Sequence, residues 1–203
     1  IKLISVFHGN RDAGLPSHQG MVILFEAVHG QPLMIFDAAE ITAIRTAAAS
    51  ALATRVLSKE NSESLAIIGS GEQAERHVES LLLVRKIKQI NIWSRNEGHA
   101  LELFKKLSGR YSLPIRITSN AREAVENIDI ICTVTSSAQP VIMGDWISDG
   151  THINAVGSST AATRELDTEA ILKSSLFTDC YESLFNEAGD FLIPKKEYVA
   201  KLL

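Results

Sequence analysis

Apolar and polar positions follow two different rhythms along the chain, changing near residue 40. IKLISVF, residues 1–7, alternates apolar and polar side chains, the period of a half-buried strand. HGNRDAGLPSHQG, residues 8–20, is rich in Gly, Asn, Pro and Ser and reads as a loop. The apolar runs GMVILFEA and LMIFD flank HGQP, which predicts a hairpin. No helical pattern separates these strands, so an antiparallel meander is expected. Asp37 or Thr42 then caps a helix running to about Ser58, whose AAAS and ALAT segments carry side chains small enough for close approach to a neighbour.

From Ser64 onward strand and helix patterns alternate. LAIIGS is followed by the helical EQAERHVESLLLVRK and then by QINIWS. A helix from about Glu97, PIRITS, a short helix near Ala121, IDIICTV, THINAVG, a helix after Glu165 and a strand at SLFTD complete the series. Such alternation predicts an α/β fold with a parallel sheet covered by helices on both faces. The runs at 66–68 and 128–134, the second interrupted only by Asp129 and Thr133, are predominantly apolar, as strands buried on both sides require. No internal repeat and no low-complexity segment interrupts them.

Composition narrows the class. The 203 residues are 45% apolar and 22% charged, the balance of a globular protein, and the net charge of −4 offers no electrostatic footprint for nucleic acid. No apolar stretch approaches the ~20 residues that span a bilayer. The most apolar helical run, residues 47–57, is broken by Ser50, Thr54 and Arg55. Cys132 and Cys180 are far apart and without a CxxC partner, and the six histidines lack metal-ligand spacing. With no basic-then-apolar leader, a reducing cytoplasm is the expected location. The chain begins at Ile1 inside a strand pattern and stops at Leu203 inside a helical one, so a piece of a longer protein is expected.

The strongest local signal is LAIIGSGEQA, a G-x-G-x-x-A pattern at Gly69, Gly71 and Ala74 between a strand and a helix. Gly69 permits the tight turn, Gly71 leaves room for a pyrophosphate, and Ala74 lets helix and strand touch. The turn residues Ser70, Glu72 and Gln73 then present backbone N–H groups at a helix start, where negative charge is favoured. Ala74, Val78, Leu81 and Leu82 form one apolar stripe behind it. A Rossmann-type doubly wound sheet holding a dinucleotide is the reading. The next strand chooses the dinucleotide. NAD sites carry an acidic residue at its end, about twenty positions after the first glycine. This chain offers Ser94, Arg95 and Asn96 there, with His99 just beyond. An arginine pairs with a 2′-phosphate through two N–H donors, so NADPH is expected over NADH.

Taken together, PSHQ (16–19), ITAIRTAAASALAT (41–54), GSGEQA (69–74), IWSRN (92–96), HINAVGSS (152–159), REL (164–166) and EAGD (187–190) resemble the ornithine cyclodeaminase/mu-crystallin family. The resemblance covers essentially the whole chain and implies two parts: an incomplete, β-rich substrate and dimerisation domain over 1–45, and an NAD(P)-binding Rossmann domain over 46–203. It implies that Arg45 and Thr46 reach the coenzyme phosphates, that Ser17, His18 and Gln19 touch the nicotinamide side, and that Thr135, Ser136 and Val156 line the ends of later strands. Lys2 corresponds to a family lysine beside the substrate carboxylate and the reacting carbon, and Glu187 to a carboxylate of the substrate pocket.

One departure directs the functional expectation. Cyclodeaminases of the family carry an aspartate where this chain has Ser159, and serine cannot act as a carboxylate base at neutral pH. Ketimine reductases of the mu-crystallin type share the serine. The resemblance therefore implies hydride transfer from NADPH to the C=N bond of a small cyclic imino acid by a homodimeric enzyme, with Ser159 orienting substrate or nicotinamide. Ornithine cyclodeamination with NAD, another amino-acid dehydrogenase activity, and NADPH and small-acid binding without turnover are the alternatives.

Overall fold

The structure is a computed structural model that describes residues 1–7, 10, 15 and 18–202, with the backbone alone for Val6, His18 and 199–202. The chain divides into two compact units, Ile1–Ala49 and Ser50–Leu203.

The first unit is an antiparallel sheet in the order β1 (Lys2–Val6), β2 (His18–Phe25), β3 (Pro32–Asp37), followed by the start of α1 (Ala38–Leu57). The hairpin between β2 and β3 turns through Gly30, and the Glu26 carboxylate accepts the Val28 and His29 N–H groups within it. Every residue of β3 is exposed, including Leu33, Met34, Ile35 and Phe36, so this unit contains no core of its own on that strand. Asp37 is the residue that caps α1: its Oδ1 accepts from Ala39 N at 2.7 Å and Glu40 N at 3.2 Å. Thr42 lies one turn inside the helix instead, its hydroxyl donating to the Ala38 carbonyl. Ala38, Ala43, Ala47 and Ala51 of α1 are buried, the use to which its small side chains are put.

The second unit is a parallel sheet in the order β6-β5-β4-β7-β8, built from β4 (Ser64–Ile68), β5 (Gln89–Trp93), β6 (Ile115–Ile117), β7 (Ile130–Thr133) and β8 (His152–Ala155). Helices α2 (Glu72–Leu82), α3 (Glu97–Ser108), α4 (Ala121–Val125) and α5 (Thr168–Leu172) alternate with the strands, and α6 (Tyr181–Asn186) and α7 (Gly189–Leu202) follow. All five residues of β4 and all four of β7 are buried, because a central strand of such a sheet is covered on both faces. Their side chains alternate between two apolar clusters. Leu65, Ile67, Ile130 and Cys132 join Val78, Leu81, Leu103 and Leu107 of α2 and α3. Ala66, Ile68 and Ile131 join Ala124, Val125 and Ala170 of α4 and α5.

Two expectations are corrected. SLFTD, residues 175–179, forms no strand: it pairs with neither edge of the parallel sheet, and Leu176 and Phe177 are exposed. The inward stripe of α2 contains His77 as well as Ala74, Val78 and Leu81, while Leu82 is only half-buried. The imidazole is accommodated because both nitrogens have partners: Nδ1 bonds the Gln73 carbonyl at 2.7 Å and Nε2 the Ser50 hydroxyl at 3.0 Å. Burial holds its pKa below the ordinary histidine value, so the ring is neutral.

Candidate coenzyme site

The C-terminal edge of the parallel sheet is where a doubly wound fold binds its ligand, at the point where strand order reverses. Here that point lies at β4, flanked by β5 on one side and β7 on the other. The turn leaving β4 carries Gly69 at φ +118°, a conformation that L side chains rarely adopt. Gly69 N donates to the Trp93 carbonyl at 2.8 Å, and Val134 N to the Ile68 carbonyl at 2.8 Å, so the turn is anchored to both neighbouring strands. A Cβ on Gly69 would lie 2.9 Å from the Val134 carbonyl oxygen.

Gly71 is the N-cap of α2 and supplies no side-chain acceptor. A helix start leaves its first N–H groups without intrahelical partners, and those of this turn receive no side-chain cap. A Cβ on Gly71 would meet nothing within 4 Å, which leaves open space before those donors. Gln73 adds a buried, unpartnered Oε1 behind the turn. Open space, uncapped donors and a glycine too tightly placed to be replaced are what a diphosphate requires. Glu72 is exposed at the first helical position.

Beyond β5, Ser94 Oγ accepts from Ser70 Oγ at 2.8 Å, tying the two strand ends together. Arg95 is exposed, with no ion pair among the described residues. Asn96 caps α3 by accepting from His99 N at 3.1 Å, and the His99 side chain is exposed. The four residues thus share one end of β5, as expected from their order in the chain.

On the other side, Thr135, Ser136 and Val156 follow β7 and β8. Thr135 and Val156 are half-buried and Ser136 is exposed. Ser159 is exposed two residues past Gly157, whose carbonyl accepts its N–H at 3.0 Å. Between these loops lies a residue that local pattern gave no role. Glu165 is fully buried and its carboxylate accepts from Thr135 N at 2.5 Å, Thr133 Oγ1 at 2.7 Å and Gly157 N at 2.7 Å. Burial pushes its pKa up to about 7 against the pull of those donors. Asp190 is likewise buried and its Oδ1 accepts from Glu165 N and Leu166 N. Its Oδ2 is buried without a partner, and burial raises its pKa. Within the EAGD stretch, therefore, the buried carboxylate is Asp190, whereas Glu187 is exposed at the end of α6.

In the first unit, Lys2 is exposed on β1 and its Nζ donates to Thr42 Oγ1 at 2.9 Å. Arg45 is exposed on α1, and the Thr46 hydroxyl donates to the Thr42 carbonyl. His18 and Gln19 open β2; Ser17 lies outside the described residues. Among the described residues no group of three His, Cys, Asp or Glu side chains could hold a metal ion, and no helix is long and apolar enough to cross a membrane.

Comparison with known proteins places this geometry. The model of the ornithine cyclodeaminase/mu-crystallin family matches residues 1–203. Mouse ketimine reductase mu-crystallin is 37% identical over 201 residues, which is 99% of this chain and 63% of that protein. A solved structure of Thermococcus litoralis Delta(1)-pyrroline-2-carboxylate reductase, in complex with NADH and L-proline, superposes with a TM-score of 0.93 at 38% identity, covering 98% of this chain and 61% of that one. An archaeal alanine dehydrogenase dimer with bound NAD superposes with a TM-score of 0.90 at 30% identity, over 97% and 61% of the two chains. The chain thus spans about three fifths of the length of the relatives it matches.

Proposed function

The chain belongs to the ornithine cyclodeaminase/mu-crystallin family, and from that premise we propose that the protein reduces the C=N bond of a small cyclic imino acid at the expense of NADPH. The observation that carries this reading is the open, uncapped glycine turn at Gly69–Gly71, in a chain similar to an NADH- and proline-bound pyrroline-carboxylate reductase. When bound, the reduced nicotinamide supplies the hydride, which goes to the imine carbon while a proton stays on nitrogen; the product is the cyclic amino acid. The turn N–H groups, with Ser70, Glu72 and Gln73, hold the diphosphate, and Arg45 and Thr46 add contacts to it. Thr135, Ser136 and Val156 border the nicotinamide half, and the family resemblance also assigns Ser17, His18 and Gln19 to nicotinamide binding. Lys2 neutralises the substrate carboxylate, and Glu187 is read, from the family resemblance, as a substrate-binding carboxylate. Ser159 orients the ring or the substrate and, being a serine, supplies no carboxylate base for the water and ammonia steps of cyclodeamination.

Residues 1–45 are read as the substrate and dimerisation part and 46–203 as the coenzyme-binding part of a cytoplasmic homodimer. The exposed apolar residues of β3 support an assembly in which that strand is covered.

The preference for NADPH rests on Arg95 and on the lack of a carboxylate among residues 94–96. The test is coenzyme oxidation by the full-length protein with Delta(1)-pyrroline-2-carboxylate and its six-membered homologue, NADPH and NADH side by side. Higher kcat/KM with NADPH is expected; higher kcat/KM with NADH overturns the coenzyme choice. Arg95→Asp removes a charge-assisted contact and adds repulsion, so the NADPH/NADH ratio should fall by roughly 10–100-fold, as the loss of a bond between charged groups predicts. An unchanged ratio removes Arg95 from the site. Release of ammonia from ornithine with NAD, without imine reduction, would favour cyclodeamination instead.

A further inference from the structure

The loops leaving β7 and β8 meet on a single side chain. Thr133 Oγ1 and Thr135 N come from the first, Gly157 N from the second, and all three donate to the Glu165 carboxylate. The fit is close: a Cβ on Gly157 would lie 2.0 Å from the Thr135 carbonyl oxygen and 2.6 Å from the Glu165 carboxyl carbon. Glu165 is itself fixed through its main chain, its N–H donating to Asp190 Oδ1 and its carbonyl accepting from Val141 N and Ile142 N.

Among the described residues, the groups facing it supply no cation. Cys132 on β7 is a buried thiol pushed well above its usual pKa by burial, Asp190 at the start of α7 is acidic, and the neighbouring Arg164 is turned to the Leu166 carbonyl, Glu197 and Thr168. A carboxylate removed from water and held only by neutral donors is an expensive way to join two loops. Neutral alternatives serve a joint of this kind less well: Thr133 Oγ1 and Gly157 N share Oε2 while Thr135 N bonds Oε1, so an amide, with one acceptor oxygen, would turn its NH2 toward at least one donor.

The strand order shows what the joint positions. With the diphosphate turn on β4 and the Ser94–Asn96 cluster on β5, the other half of a dinucleotide extends over β7 and β8. We propose that Glu165 is a positioning residue of the coenzyme site: its carboxylate clamps the loop after β7 to the loop after β8 and thereby sets where the nicotinamide ring is held for hydride transfer. This rests on the imine-reductase reading given above.

Its charge state gives the inference a signature. The group's pKa in the folded protein, about 7, lies above the ordinary 4.5. A raised folded pKa contributes stability that is fully present below about 4.5 and is lost as pH rises through about 7. The clamp works in the opposite direction, since all three groups are donors and their bonds are stronger to the ionised carboxylate than to the protonated carboxyl, whose own O–H would need an acceptor among them. Activity should therefore rise through pH 7 while thermal stability falls, a divergence that a purely structural carboxylate does not produce.

The experiment compares the full-length wild-type protein with Glu165→Gln in two readouts. The first is kcat for cyclic-imine reduction between pH 5.5 and 8.5, a range chosen to span the pKa of about 7. The second is the emission lifetime of bound NADPH over the same range, with NADPH as the only ligand. The wild type should lose kcat as pH falls through about 7, and its bound nicotinamide should become more mobile in step. The glutamine variant should lack both transitions, with kcat at pH 8 lower by roughly 10–100-fold and NADPH Kd changed by less than about 3-fold, because positioning acts on the barrier rather than on diphosphate affinity. Thr133→Val, which removes one donor and keeps the carboxylate, should move both transitions to higher pH and stands in should the glutamine variant fail to fold. Wild-type behaviour of both variants in both readouts overturns the assignment. A wild type that turns over no cyclic imine but still shows the lifetime transition overturns the imine-reductase reading and leaves the clamp intact.

Discussion

Gly69→Ala should weaken NADPH binding by at least about 30-fold and lower the melting temperature, whereas Gly71→Ala should weaken binding without moving it. The asymmetry follows from the local geometry. Gly69 sits at φ +118°, and its Cβ would fall 2.9 Å from the Val134 carbonyl oxygen and 3.2 Å from Val134 Cγ2. The turn cannot shift to relieve this without loosening the Gly69 N–Trp93 O and Val134 N–Ile68 O bonds to both flanking strands. Backbone strain of roughly 1–3 kcal/mol and overpacking of a similar size follow. Movement of the turn by even part of that cost displaces the diphosphate donors, and about 2 kcal/mol of lost affinity is the stated factor. At Gly71 the backbone is at φ −80° and a Cβ meets nothing, so the fold accepts it. The methyl group instead occupies the space left for the ligand. Equilibrium titration with NADPH and thermal denaturation of both variants check the pair. Equal affinity of Gly71→Ala and wild type would place the diphosphate elsewhere.

Arg85→Ala carries the second large effect, on stability alone. The guanidinium closes the C-terminal end of α1. Nη2 donates to the carbonyls of Thr54, Arg55 and Ser58 at 2.9–3.0 Å, Nε to Ser58 Oγ and the Lys59 carbonyl, and Nη1 to the Val84 carbonyl. The last carbonyls of a helix have no partners within it and carry the negative end of its dipole, so one planar cation satisfies both demands. Removing it should cost about 2–4 kcal/mol, the range for several coupled charge-assisted bonds. In a domain of this size that lowers the melting temperature by roughly 4–16 °C. Arg85→Lys keeps the charge but not the fork of donors and should recover less than half the loss. NADPH affinity measured well below the transition should stay within about 3-fold of wild type, since Arg85 lies beyond the end of α2 opposite the glycine turn. A shift of less than about 1 °C in Arg85→Ala would show that water replaces the guanidinium without loss.

The glycine turn and the parallel strands are legible because each is written in neighbouring residues, which also narrow the cap of α1 to Asp37 or Thr42 without choosing between them. A run such as LAII declares a strand buried on both faces, and a glycine pair between strand and helix declares its own backbone needs. The strand expected at 175–179 was misread for the same reason. An apolar run becomes a strand only where the folded chain brings it into register beside a partner, and Leu176 and Phe177 are left exposed instead. His77 was invisible to hydrophobic counting, although its position three residues after Ala74 lies on the buried stripe; its partner, Ser50, is 27 residues away.

Glu165 and Asp190 mark the boundary most clearly. Beside Arg164 and ahead of a short helix, Glu165 has the local pattern of a surface charge. Its donors lie 32, 30 and 8 residues earlier in the chain. Local order along the chain thus determined which segments are strands and helices, where the glycine turn falls between β4 and α2 and which side chains follow β5, because propensity, periodicity and turn chemistry act over a few residues. Tertiary structure alone decided which carboxylates are buried and what they hold, because desolvation and convergent hydrogen bonding depend on parts of the chain that meet only after folding.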